Sequence, residues 1–165
     1  MKKITLLSDS HGFVDEAIKK HCHSADEVWH AGDVGAYNPE KELAGKGITL
    51  RGVCGNIDGP PVRGMFPEFA QFECEGFSVL ILHIGGKPGS YSPRALQLIR
   101  EIKPGIFVTG HSHICRVEYD KKENFLYINP GACGREGFHP VRTLITFCLD
   151  RGKISEFKIV ELGKR

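Results

Sequence analysis

The chain has no apolar run near the roughly 20 residues a helix needs to cross a bilayer, so no membrane-spanning helix is expected. Its opening, MKKITLLSDSHG, reaches polar residues after a very short apolar stretch and lacks the form of a secretory signal. There is no C-x-x-C pair among the cysteines at 22, 54, 74, 115, 133 and 148. Reduced, mostly buried thiols in the cytoplasm are therefore the expectation, rather than a disulfide framework. Lysines and arginines are scattered and the formal net charge is only +2, so nothing indicates specific nucleic-acid binding. Repeats, low-complexity tracts and internal linkers are also missing.

What remains is an ordinary globular composition. With 41% hydrophobic and 25% charged residues, a chain of 165 residues has enough apolar material for one domain, residues 1–165, around a real core.

The first two thirds alternate between strand and helix. KITLLS, EVWHAG and ITLRGVCG read as strands. FVDEAIKKHCHS reads as a helix with Phe13, Ala17 and Ile18 on one side, and NPEKELAGKG as a short helix ended by glycine. IDGPPVRG reads as a turn, and FAQFECEGFSVLILHI as a hairpin turning at Glu75-Gly76. SPRALQLIREIK suits a helix with Ser92 as N-cap and Pro93 at its first position, before the strand GIFVTG. Two hairpins follow, turning at the charged KKEN and at Asp150-Arg151-Gly152. The expected architecture is α/β, with two sheets packed face to face and helices outside.

Comparing the strand ends exposes a pattern. The first exits into SDSHG with Asp9 and His11, the second into AGDVG with Asp33, and the third into CGNID with Asn56 and Asp58. FSVLIL exits into His83, and GIFV into GHSH with His111 and His113. Open α/β sheets place their ligands at this carboxyl edge. Oxygen and imidazole donors without thiolates favour manganese, iron, zinc or nickel over calcium. Asp9, Asp33, Asn56 and the four histidines make seven donors, too many for one tetrahedral ion, and suit two divalent ions about 3.5–4 Å apart with a shared carboxylate.

Each item alone has a plainer explanation. Asp9 or Ser10 could cap a helix, Gly32-Asp33 and Gly55-Asn56 could be turns, and His83 could be a satisfied core histidine. Coincidence fails for all of them together, in order and each at a strand end. His21 and His23 suit a helix C-terminus, and His30, just before the Asp33 turn, reads either as a residue supporting the ligands from behind or as packing, with packing favoured. Nothing in the sequence commits His139, which follows a loop phenylalanine.

The ordered set SDSHG, AGD, GNID, His83, GHSH and INPGA resembles the calcineurin-like metallophosphoesterases, and within them the small, capless bacterial and archaeal phosphodiesterase branch. The resemblance implies a four-layer αββα sandwich with two mixed sheets and a binuclear centre at one sheet edge. It implies that Asp9, His11 and His113 hold one metal, that Asn56, His83 and His111 hold the other, and that Asp33 bridges them. It further implies a phosphodiesterase in which a hydroxide between the metals attacks phosphorus directly, with His11, His111 and Asn56 orienting the phosphate. Manganese is the expected metal and a small-molecule phosphodiester the expected substrate.

Two departures stand out. Larger members follow the ligand asparagine with a histidine that can protonate the leaving group, and here that place holds Ile57. Many relatives also have glycine directly after the first lone histidine, where this chain has Ile84. Arg135 and Arg142 are phosphate-binding candidates without a matching motif. Two other classes stay open: a scaffold, since one relative of this fold is a subunit of the endosomal retromer coat, and a nucleotide-sensing module without turnover. Strands near the C-terminus also offer edges for pairing with a second copy, leaving a homo-oligomer open.

Overall fold

The computed structural model describes residues 1–165. In chain order the elements are β1 (Lys2–Leu7), α1 (Glu16–His23), β2 (Glu27–His30), α2 (Pro39–Leu43), β3 (Thr49–Gly52) and α3 (Pro60–Met65). Then come β4 (Phe69–Cys74), β5 (Phe77–Leu82), β6 (Gly86–Lys87), β7 (Ser90–Tyr91), α4 (Pro93–Ile102) and β8 (Ile106–Val108). The last four are β9 (Cys115–Asp120), β10 (Phe125–Pro130), β11 (Val141–Asp150) and β12 (Lys153–Lys164).

Two five-stranded sheets form, ordered β12-β11-β1-β2-β3 and β4-β5-β8-β10-β9. Each has a parallel centre, β1-β2-β3 in one and β5-β8-β10 in the other, flanked by antiparallel strands. Side-chain alternation builds the layers. Ile4 and Leu6 of β1 meet Val79, Ile81 and Ile106 of the opposite sheet in the central core, while Leu7 points the other way toward Ile18 and Cys22 of α1. On the second sheet, Leu80 and Leu82 face outward onto Ala95, Leu98 and Ile99 of α4. Full burial of a leucine or isoleucine contributes about 1.5–3 kcal/mol, so α4 is fixed by this face. Helix, sheet, sheet, helix is the αββα arrangement that the pattern suggests.

The hairpin turns also follow local chemistry. Glu75-Gly76 and Arg151-Gly152 each have two successive left-handed residues, the conformation whose twist matches that of the flanking strands. Ser92 Oγ accepts from the Ala95 amide at 3.1 Å and starts α4 behind Pro93.

The structure corrects three readings. IDGPPVRG is not simply a turn. Its prolines set the backbone angle for the opening of α3, and the Arg63 amide reaches the Gly59 carbonyl at 3.0 Å. The first helix begins at Glu16, capped by Asp15, so Phe13 precedes it and Ala17 is exposed. The short β6–β7 hairpin lies in GGKPGSY, where no strand was expected.

Candidate metal centre

The carboxyl ends of β1, β2, β3, β5 and β8 meet at one edge, and the seven donor residues converge there. Asp9, His11 and His113 place one ligand atom each within 4.8 Å of one another, and Asp33, His83 and His111 do the same. Asn56 joins the second group, with its Oδ1 3.1 Å from His83 Nε2. One parallel strand departs from the pattern: β10 runs beside β8 yet supplies no donor of this kind. Its Asn129 instead donates to the Gly110 carbonyl at 2.9 Å and reaches Ser112 Oγ at 3.1 Å, holding the GHSH loop.

The turns that deliver these side chains are tight. Asp9, His11, Asp33, His111 and His113 all have φ between 46° and 67°. That left-handed region is uncommon outside glycine and concentrates at functional sites. Bonds between loops hold it: the Asp9 amide reaches the Gly32 carbonyl at 3.0 Å, and the His11 amide the Asp33 carbonyl at 3.0 Å. Asp58 locks the third loop to the second by accepting from the amides of Gly35 at 2.9 Å and Gly55 at 2.7 Å. Gly55 must be glycine, because a Cβ there would fall 2.1 Å from Asp33 Oδ1.

Proton positions follow from the bonds. His83 Nδ1 lies 2.7 Å from the Ala31 carbonyl, which can only accept, so that nitrogen carries the proton. A neutral His83 therefore turns an unprotonated Nε2 toward Asp33 Oδ1 at 3.2 Å and Asn56 Oδ1 at 3.1 Å. His139 Nε2 lies 2.9 Å from the Gly134 carbonyl and must donate to it. Its Nδ1 then accepts from His113 Nδ1 at 3.3 Å, leaving His113 Nε2 bare 3.1 Å from Asp9 Oδ1.

This arrangement fits a cation. Lone pairs face lone pairs, and the buried Asp9 Oδ1 and His11 Nε2 have no hydrogen-bond partner. Burial pushes the Asp9 carboxyl upward, yet the rings of His11, His113 and His83 and the Ser8 hydroxyl outweigh it and hold it well below the usual carboxylate range. Burial lowers His83, but Asp33 and Asp9 win and raise it. The cluster thus draws positive charge toward atoms whose geometry suits ligation.

Four residues outside the expected set support the site. Asp58 and Asn129 act as described. Arg63 of α3 donates to the Asp58 carbonyl at 2.6 Å and to the Gly55 carbonyl at 3.0 Å. His139 fixes the tautomer of His113. Only Asp58 and His139 had stood out in the sequence, neither with a role. His30 is fully buried rather than simply packed: its Nε2 meets Ser10 Oγ at 2.9 Å and its Nδ1 accepts from the Gly32 amide at 3.2 Å. Burial takes its pKa down to about 4. Arg142 is spent on structure, binding Asp15 at 2.9 Å and the Cys133 carbonyl at 3.2 Å, and Arg135 lies over the Phe13 ring, 4.3 Å from its centroid.

A two-sheet α/β sandwich with carboxylates, imidazoles and an amide gathered at its carboxyl edge defines a metal-binding hydrolase class. Residues 1–152 match the calcineurin-like phosphoesterase superfamily domain, and the chain belongs to that family. No curated protein sequence matches it significantly. Solved structures share the fold at low identity. An archaeal phosphodiesterase is 21% identical with a TM-score of 0.73, over 97% of this chain and 99% of that one. A conserved protein of Streptococcus pneumoniae, described as a predicted phosphoesterase, is 23% identical with a TM-score of 0.70, over 98% and 89%. Vps29 of Entamoeba histolytica in complex with zinc is 16% identical with a TM-score of 0.69, over 96% and 98%.

Proposed function

We propose that residues 1–165 form one metal-dependent phosphodiesterase domain that acts on a small-molecule phosphodiester in the cytoplasm. One observation carries the reading: the two oxygens of Asp33 face different histidines. Oδ1 lies 3.2 Å from His83 Nε2 and Oδ2 lies 3.4 Å from His11 Nε2. A carboxylate placed in this way suits a bridge between two cations. Asp9, His11 and His113 hold one and Asn56, His83 and His111 the other, manganese being the expected ion. Two such ions supply Lewis acidity at phosphorus and lower the pKa of water into the neutral range.

The chain's own groups then do the positioning. His11 and His111 flank the place the phosphate takes, and the Asn56 amide nitrogen can donate to a phosphate oxygen while its Oδ1 ligates. Hydrolysis adds water across one ester bond. A P–O bond forms as the bond to the leaving alcohol breaks in line, and the proton released by water ends on that alcohol. Attack by water requires no serine or cysteine nucleophile, so the reading is direct hydrolysis without a covalent intermediate. With Ile57 where larger relatives carry a histidine, activated diesters are the better substrates.

The test is to strip the protein of metal, restore manganese, and assay an activated phosphodiester beside the matching monoester, with Asp33→Asn as the blank. Manganese-dependent diester cleavage absent from the variant supports the reading. A scaffold is the second reading, drawn from the likeness to Vps29. Failure to bind any metal would favour it, although bound metal does not exclude it, since that Vps29 holds zinc; absent turnover with tight nucleotide binding would favour a nucleotide-sensing role.

A further inference from the structure

Three grooves open from the candidate metal centre, and they differ in chemistry. The largest, about 870 Å³, runs from His11 between the Gly35–Asn38 loop and α3, with Tyr37, Ile57, Val62 and Met65 on its walls. A second, about 690 Å³, opens beside His111 and His113 and runs past Ile114, Phe138 and Val141. Neither has a lysine or arginine in its walls, and the first has Glu136 instead. The third, about 500 Å³, opens beside Asn56 and His83 and contains Arg63, Arg94 and Glu68. Arg63 is held by the Asp58 and Gly55 carbonyls, while Arg94 makes only an exposed pair with Glu68 at 3.5 Å.

Apolar side chains also stand exposed at the mouth. Ile57, Ile114 and Phe138 are 47%, 66% and 102% exposed, and each lies next in sequence to Asn56, His113 or His139. Recognition of a second phosphate needs a free cation or a fork of donors, and the walls of the first two grooves hold no lysine or arginine to supply one. Apolar walls continuous with a charged centre suit a ligand whose only charge sits at that centre.

We propose that the substrate is a phosphodiester whose two esterifying groups are uncharged and largely apolar or aromatic, one seated between the Gly35–Asn38 loop and α3 and the other beside Phe138. The scissile phosphate is then its only anionic group, and polyphosphates, polynucleotides and ring-sulfonated esters are poor ligands. This rests on the phosphodiesterase reading for turnover but not for binding, and the two parts are measured separately.

For turnover, manganese-loaded protein is given 4-nitrophenyl phenyl phosphate and 4-nitrophenyl 4-sulfophenyl phosphate. They share a leaving group and differ by one charge. The unsulfonated ester is expected to lead by about tenfold in kcat/KM. Glu136→Lys, at an exposed position, narrows that lead by roughly threefold through the reversed rim charge. Equal kcat/KM values overturn the proposal.

For binding, the two methionines, Met1 and Met65, serve as reporters. In the full chain loaded with zinc, which is diamagnetic, and labelled with ¹³C-methyl methionine, diphenyl phosphate shifts Met65 and leaves Met1 in place, while bis(4-sulfophenyl) phosphate moves neither. An unmoved Met65, or equal shifts with both esters, overturns the proposal. A selective Met65 shift with neither ester hydrolysed sinks the phosphodiesterase reading and leaves the groove assignment standing.

Discussion

The Nδ1 atoms of His113 and His139 lie 3.3 Å apart, and the Gly134 carbonyl decides which carries the proton. Because His139 must donate through Nε2, its Nδ1 accepts and His113 is held with a bare Nε2 toward Asp9. Partners of this kind fix ring orientation and ligand basicity. His139→Ala should weaken metal binding at the Asp9–His11–His113 group by about 10–100-fold. Competition against a chelator, with two binding events resolved, checks it. Unchanged affinity at both sites would remove His139 from the ligand support.

Asp33 turns one oxygen toward each donor group, whereas His83 offers a single nitrogen, nearer to Asp33 Oδ1 at 3.2 Å than to Asp9 Oδ1 at 3.9 Å. His83→Ala should therefore empty mainly one site, and elemental analysis should find a stoichiometry near one ion per chain. Asp33→Asn replaces one of the two facing oxygens with an amide. It should lower occupancy of both sites and reduce turnover by about a thousandfold or more. A stoichiometry near two in either variant contradicts the assignment.

Much of this centre was legible because its donors sit in short segments at strand ends. SDSHG and GHSH carry side chains and turn glycines within a few residues. The hidden parts are long-range. Asp58 clamps amides 23 and 24 residues away, and Asn129 reaches back to Gly110, 19 residues earlier. No local period marks such bonds. α3 was hidden for another reason: Pro60, Pro61 and Gly64 are residues of turns, and the Gly59–Arg63 and Val62–Phe66 backbone bonds, with the packing of Val62 and Phe66 against Val34 and Cys54, make the segment helical. Ala17 fits a helical period that begins at Phe13, but the Asp15 cap starts the helix later and turns Ala17 to solvent.

His30 gives the fold a definite acid response. Burial depresses its pKa from 6.5 to about 4, so the unfolded chain binds the proton first as pH falls. Its contribution to stability is full above the ordinary histidine value near 6.5 and is lost as pH falls from there toward 4. Between pH 7 and pH 5 the loss is about 2 kcal/mol. Urea unfolding of chelator-treated protein should show that fall, and His30→Gln should lack this part of it. Parallel pH dependences in the two proteins would mean that His30 titrates normally in the fold.

Ile57 is the residue through which leaving-group chemistry can be altered without disturbing the donors. Its side chain is 47% exposed beside Asn56, and its backbone amide bonds Asp33 Oδ1 at 3.1 Å, a contact that survives substitution. Ile57→His places an imidazole where a departing alkoxide can take a proton. General acids of this kind contribute about 10²–10⁴-fold, and only where the leaving group needs help. Phenyl diesters should therefore gain about a hundredfold, while 4-nitrophenyl diesters, whose anion leaves unaided, should change little. A plot of log kcat against leaving-group pKa should become shallower. An unchanged slope would mean that the new ring does not reach the leaving oxygen, and that another group or solvent supplies the proton in the natural protein.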